Sequence, residues 1–386
     1  MPQNSRIFYQ FLGLHSLLIG IFPFYIPVYL WKQGFDLGAV AFFISLSGLG
    51  FCMGMWVWDR LRWKISLISL MGVSVLLEIA LLLNVQYLDM SAKVLVLLGV
   101  IYGVYNSFFW TTQRALFFDL VTVDNSGRKY GNFQIFVGLL LQIGILIGGL
   151  LLETASFIYL LYVSALIGIV GMFFLWRSQL PYPETLTSRP SIKLRDVIGF
   201  KDQESSRTVF IVDGFYLFLE SFFWIISLFL LVHESFSTLG LIVMVLAVIF
   251  GLLFYLLKNT IDKLGRKRVY LFAVSVYGIA WGLRAVVSDQ LALEVLFLVL
   301  VLITFFTSFF RLAMNKRFYD LAKTTIGHDY LIIKSYYSQL SIMVCFGLVA
   351  FAASHLEHNE NLLEPIYWIA AITAPAFFFY GAKRYR

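Results

Sequence analysis

Charge is scarce in this chain. Asp, Glu, Lys and Arg make up 13% of its 386 residues, about half the share of an ordinary soluble domain, and that scarcity excludes a soluble globular fold. Cysteine is nearly absent: Cys52 and Cys345 both fall inside long apolar runs. They form no disulfide framework, offer no metal-ligand spacing and read as packing residues. Neither a P-loop nor a dinucleotide glycine motif is present, so no ATP drive is encoded and no cofactor is expected. A cleavable signal is not expected either, because the first apolar run is too long and lacks a small-residue cleavage site.

What the chain has instead is apolar length. It is 60% hydrophobic, and twelve apolar runs recur at about 7–31, 36–58, 65–87, 93–118, 132–152, 155–176, 208–232, 237–257, 269–288, 292–316, 331–353 and 363–381. Each is long enough to cross about 30 Å of hydrocarbon as a helix. The expected fold is an all-α polytopic membrane protein with twelve spans in a lipid bilayer.

The net charge of +7 does not indicate nucleic acid, because its placement follows topology. Lys and Arg gather at the N-terminus, in the loops after spans 2, 4, 6, 8 and 10, and at the C-terminus. The opposite loops carry little more than Lys32 and Lys93, with Arg284 near the edge. By the positive-inside rule both termini lie in the cytoplasm, and a bacterial inner (plasma) membrane is the expected location.

The two halves echo one another. Arg6 through about Tyr130 returns as Arg207 through about Leu331, with SFFWTTQRALFFDL (Ser107–Leu120) over SFFRLAMNKRFYDL (Ser308–Leu321) and WDRLRWK (Trp58–Lys64) over IDKLGRK (Ile261–Lys267). A repeat of half the length implies two six-helix bundles, 1–177 and 207–386, with substrate and ion sites between them. The longest polar segment, 178–206, reads as a cytoplasmic linker with a short amphipathic helix around 192–200.

These motifs resemble the major facilitator superfamily of secondary transporters over nearly the whole chain. DKLGRK (Asp262–Lys267) looks like its cytoplasmic loop signature, and DRLRWK (Asp59–Lys64) like the matching loop, with Arg62 and Trp63 where the family usually has Gly and Arg. GILIGG (Gly144–Gly149) looks like the span-5 motif of its antiporters, but Ile145 replaces Pro, which weakens that narrower likeness. The resemblance implies a carrier that moves a small-molecule substrate by alternating access, usually as a monomer. It also implies a cytoplasmic gate built from Asp59, Arg60, Arg62, Lys64, Asp119, Asp262, Arg266, Lys267 and Asp320, with Lys334 assigned to the same inner side.

Spans 1, 4, 7 and 10 line the central cavity in that family. Here each holds an ionisable residue away from its ends: His15, Arg114, Glu220 and Arg311. A charge at bilayer depth costs roughly 2.5–3.5 kcal/mol, so four on these spans point to function. Asn106, Trp110 and Arg114 form one stripe at spacing four, and Thr307, Arg311 and Asn315 are their counterparts. Asp213 and Glu220, seven apart, share a face of span 7. Glu220 is the expected proton- or cation-coupling carboxylate, with Arg311 or Arg114 holding either a substrate anion or Glu220 itself. Tyr25, Tyr102, Trp110 and Trp224 offer stacking surfaces for a flat or amphipathic substrate. Glu78 reads as a packing residue of span 3. Two other classes stay open: a lipid or amphiphile translocator, and a membrane-embedded transferase, for which His355, Glu357 and His358 are the nearest thing to a motif.

Overall fold

The computed structural model describes residues 3–87, 91–120, 126–155, 157–177, 190–261, 266–356 and 359–381. Within these, the side chains of 3–8, 119–120, 126–134, 253–261, 266 and 359–360 are excepted. Every regular element among the described residues is helical. Among the described residues ten helices, not the expected twelve, are long and apolar enough to span a bilayer, and two shorter apolar stretches, Phe236–Leu252 and Leu363–Phe379, accompany them. The chain is an integral multi-pass membrane protein.

Local chemistry explains where the helices start and break. The first repeat holds α1 (Gln3–Ile21), α2 (Ile26–Lys32), α3 (Leu37–Leu61), α4 (Leu67–Tyr87), α5 (Ala92–Leu120), α6 (Ser126–Thr154) and α7 (Phe157–Arg177). Pro23 opens a 3₁₀ turn, Pro23–Tyr25, that separates α1 from α2, and Pro27 sits in the first turn of α2, where a missing N–H costs nothing. Asp36 caps α3 by accepting from the Ala39 N–H at 2.7 Å, and Ser66 caps α4 by accepting from Ser69 at 3.1 Å. Such caps satisfy amides that the helix leaves orphaned.

The linker contributes α8 (Leu194–Gly199), shorter than the expected 192–200. Its Val197 is buried while Leu194 and Ile198 are exposed. The second repeat holds α9 (Ser206–Phe218), a π-turn at Leu219–Phe223, α10 (Trp224–Leu231), α11 (Phe236–Ile261), α12 (Arg266–Val286), α13 (Leu293–Thr324), α14 (His328–Ala353) and α15 (Leu363–Thr373). Hydropathy ends span 10 near residue 316, yet α13 runs on to Thr324 with a Lys316–Asp320 pair at 2.9 Å. Helical hydrogen bonds and an i,i+4 ion pair keep a polar segment helical after its apolar run has ended.

Within the first repeat α1 packs on α6 and α7, α3 on α5, and α4 on α5 and α7. Within the second, α9 packs on α14, and α12 on α13 and α15. Between the repeats the main contacts are α3 with α14 and α6 with α11. Glycine permits both crossings. A Cβ on Gly48 of α3 would meet the Gln339 carbonyl oxygen at 2.8 Å, and one on Gly149 of α6 would meet the Phe236 carbonyl oxygen at 2.6 Å. Gly144 and Gly148, from the same glycine motif, lie against the backbone of Leu17 and Ile21 in α1.

Candidate functional site

A ladder of ionic and hydrogen-bonded side chains runs through the second repeat. Lys334 of α14 donates to Asp213 Oδ2 at 2.7 Å, and Arg311 of α13 donates from Nη1 to Asp213 Oδ1 at 2.5 Å. Arg311 Nε then donates to Glu220 Oε2 at 2.8 Å, and the Tyr277 hydroxyl donates to Glu220 Oε1 at 2.5 Å. Asp213 and Lys334 are nearly sealed, with side chains 2% and 8% exposed. Arg311 and Glu220 remain 19% and 17% accessible. The ladder therefore has a closed end, at Asp213 and Lys334, and a more accessible end, at Arg311 and Glu220.

The backbone around Glu220 is unusual. Leu219–Phe223 is a π-turn, in which the Trp224 N–H bonds to the Leu219 carbonyl five residues back. Such turns shift the helix register locally and recur at functional positions. No apolar pattern signals one, so sequence reading missed it. Reading also missed Tyr277, and placed Lys334 at the gate rather than on Asp213. Arg284, counted as a charge near an outer loop, is instead 4% exposed and packed against Trp224 and Trp281.

The other expected site residues separate into groups. Trp110 Nε1 donates to Asn106 Oδ1 at 2.9 Å, which joins two of that stripe's three residues, whereas Arg114 donates to Ser335 of α14 at 3.1 Å. Thr307 accepts from Arg284 at 2.8 Å, whereas Asn315 turns back to the Arg311 carbonyl at 2.8 Å. Tyr25 is fully buried and donates to the Ile145 carbonyl at 2.7 Å, which braces the broken first span against α6. His15 joins neither stripe. Its Nδ1 lies 3.6 Å from Glu78 Oε2, and its ring stacks on Phe109 at 3.7 Å. Glu78 is thus half of a sealed polar pair in the first repeat.

At the end bearing the basic loops, the two departures from the family signature have a visible use. Asp59 accepts from Arg62 Nε at 2.7 Å and from the linker Ile192 N–H at 2.8 Å. Arg62 also reaches the Pro190 carbonyl at 3.3 Å, and Trp63 Nε1 donates to Ser191 at 3.2 Å. On the other side of the linker, Tyr337 of α14 donates to the Val197 carbonyl at 2.7 Å. The linker is a strap that ties α3 to α14. Arg60 folds back over Trp56 at 3.7 Å, Lys64 is exposed, and Asp320 pairs with Lys316. Lys267 is exposed; Asp262, Glu357 and His358, and the side chains of Asp119 and Arg266, lie outside the described residues.

The opposite end is latched across the repeats. A left-handed turn at His233–Glu234 aims Glu234 at α2, where it accepts from Lys32 at 3.0 Å and Trp31 at 3.3 Å. Glu153 of α6 caps α11 by accepting from the Phe236 N–H at 2.8 Å. The Lys32 ammonium, then the Trp31 indole, hold the Glu234 carboxyl below its ordinary value of 4.5. A depressed carboxyl stabilises the latched form above that ordinary value and loses the contribution as pH falls through the lowered one. Spin labels at Gln33 and Thr238 should therefore keep one short distance between about pH 8 and pH 5 and broaden only below about 4.5. Glu234→Gln should broaden it at every pH, modestly, because an exposed pair is worth at most about 1 kcal/mol. A distribution insensitive to both would remove Glu234 from the latch.

A family model described as Major Facilitator Superfamily matches residues 12–344. No curated protein matches the chain. Among solved structures, a point mutant of the nucleoside transporter NupG superposes with a TM-score of 0.70 at 13% identity, over 98% of this chain and 99% of that one. The same transporter without the mutation gives 0.68 at 12%, over 100% of both chains. The human organic anion transporter MFSD10 (TETRAN) gives 0.67 at 15%, over 98% of this chain and 100% of that one. At these identities the likeness is one of fold.

Proposed function

This chain belongs to the Major Facilitator Superfamily, and we propose that it is a secondary active transporter that moves a small molecule by alternating access, coupled to protons through Glu220. Two six-helix bundles, 1–177 and 207–386, rock about the linker, with both termini on the cytoplasmic side. The observation that carries the reading is the shared Arg311, held at once by Asp213 at 2.5 Å and Glu220 at 2.8 Å.

A shared cation makes one carboxylate conditional on the other. While Glu220 is ionised, Arg311 is doubly bound and the four charges of Lys334, Asp213, Arg311 and Glu220 cancel. A fully ion-paired ladder reorients at less cost than one with a carboxylate or cation left unpaired, since uncompensated charge in a low dielectric is expensive. When Glu220 takes a proton, Arg311 keeps only Asp213 and gains a free face. Proton binding and cation availability are thereby one event, which is what coupling requires.

The test is purified protein in liposomes enclosing a pH dye, challenged with pooled metabolites and amphiphiles. A substrate-evoked pH change is expected, and its direction separates import from export. Labelled substrate moving with no pH change would instead assign a uniporter or a different ion.

A further inference from the structure

The ladder balances its charges until Arg284 is added. Asp213 and Glu220 supply two negative charges against Lys334, Arg311 and Arg284. Arg284 lies within electrostatic range of both Glu220 and Arg311, which joins it to the accessible end of the ladder. Unlike its neighbours, Arg284 has no carboxylate at ion-pair distance among the described residues. It donates to Thr307 Oγ1 at 2.8 Å and, weakly, to the Ala280 carbonyl at 3.3 Å. Its guanidinium lies 4.4 Å from the Trp281 ring centroid and 5.1 Å from that of Trp224. Aromatic faces soften a buried cation but do not neutralise it.

Hydrogen bonding carries the same imbalance. Among the described residues, three buried N–H positions in this neighbourhood have no acceptor: Arg284 Nε, Trp281 Nε1 and Arg311 Nη2. They are linked through Tyr277, whose ring lies 6.0 Å from Trp281 and 5.9 Å from the Arg311 guanidinium. Buried donors are nearly always satisfied, and each one left bare is costly. The region is short of one negative charge and of several acceptors. A single oxyanion supplies both.

We infer that Arg284, with the free N–H groups of Arg311 and Trp281, binds the anionic group of the transported substrate, a small organic carboxylate or phosphate. This rests on the carrier reading and deepens it. Protonation of Glu220 frees one face of Arg311 and leaves the field more positive, so anion and proton enter favourably together. A bidentate guanidinium suits either oxyanion.

A matched panel tests the inference: benzoate, phenyl phosphate, benzyl alcohol and benzylamine share a ring and differ in charge. Each is titrated against purified full-length protein by thermal shift and intrinsic fluorescence. Benzoate or phenyl phosphate should stabilise the protein, and whichever binds better names the oxyanion. The neutral and cationic members should not bind. Arg284→Gln should weaken anion binding at least tenfold, and Arg284→Lys should retain part of it. Binding of the alcohol or amine in preference to both anions overturns the inference, as does silence of both anions up to millimolar concentration. Should Arg284→Gln not fold, the wild-type panel and the Lys variant decide. Anion binding through Arg284 without proton movement would sink the coupling reading alone; proton flux evoked by neutral or cationic substrates would sink the anion site alone.

Discussion

Glu220→Gln is expected to abolish gradient-driven transport while leaving counterflow exchange within a few-fold of wild type. Gln keeps the volume and one acceptor oxygen, which can take the Arg311 Nε–H now 2.8 Å from Oε2, while its NH2 can donate to the Tyr277 hydroxyl, which now donates to Oε1. What is lost is the ability to exchange a proton. The variant is fixed in the electrical state of the protonated carrier, in which Asp213 is the one ionised partner of Arg311. A carrier in that state still loads, reorients and unloads substrate on either side, which is all that exchange needs. It cannot return empty in the form with Glu220 ionised and ion-paired, so net accumulation stops. Measuring uptake against an imposed pH gradient and, in the same vesicles, exchange with no gradient separates the two. Full gradient-driven uptake by the variant would make Glu220 a structural residue.

Arg311→Met should do more damage, because it removes both modes of transport and lowers thermal stability. Arg311 is the partner of two carboxylates, and Asp213, at 2% side-chain exposure, is sealed from water. Lys334 at 2.7 Å still compensates Asp213 after the change, but Glu220 keeps only the Tyr277 hydroxyl. Breaking a buried pair by deleting one member costs about 3–5 kcal/mol, because the other charge is left uncompensated. The double variant Arg311→Met with Glu220→Gln should accordingly melt above the single Arg311→Met, since it removes the orphaned charge with the cation. Arg311→Lys should be intermediate, because one ammonium lacks the fork that reaches Asp213 and Glu220 in different directions. Thermal unfolding of wild type, Glu220→Gln, Arg311→Met and the double variant forms the cycle. Equal melting of the single and double variants would show that Glu220 does not depend on Arg311.

Much of the site was legible before any geometry. Ten of the twelve expected runs are helices long and apolar enough to cross a bilayer, and the runs at 237–257 and 363–381 are met among the described residues by the shorter stretches Phe236–Leu252 and Leu363–Phe379; ionisable residues inside the runs stood out because each is expensive there. Seven-residue spacing placed Asp213 and Glu220 on one side of their span, and both reach Arg311. The stripe logic also paired Asn106 with Trp110. It failed at Asn315, where the side chain prefers the carbonyl four residues back to any partner across the bundle. It failed differently at Arg284 and Lys334. Near a span end, a long basic side chain reads as a topology charge or a snorkelling one, and only the packing shows that both are turned inward.

The sequence by itself determined that this chain lives in a membrane, roughly where most of its apolar helices run, and which family it resembles. These are local properties, set by the transfer free energy of short segments and by turn and cap chemistry. The tertiary structure decided who meets whom: Lys334 with Asp213, Tyr277 with Glu220, Glu78 with His15, the linker with Asp59 and Tyr337, and Arg284 with Thr307 and, among the described residues, no acid. Those pairings depend on how each helix is rotated about its axis and where it crosses its neighbours. A π-turn or a glycine crossing changes that rotation and approach without altering hydropathy, so no reading of apolar pattern contains them.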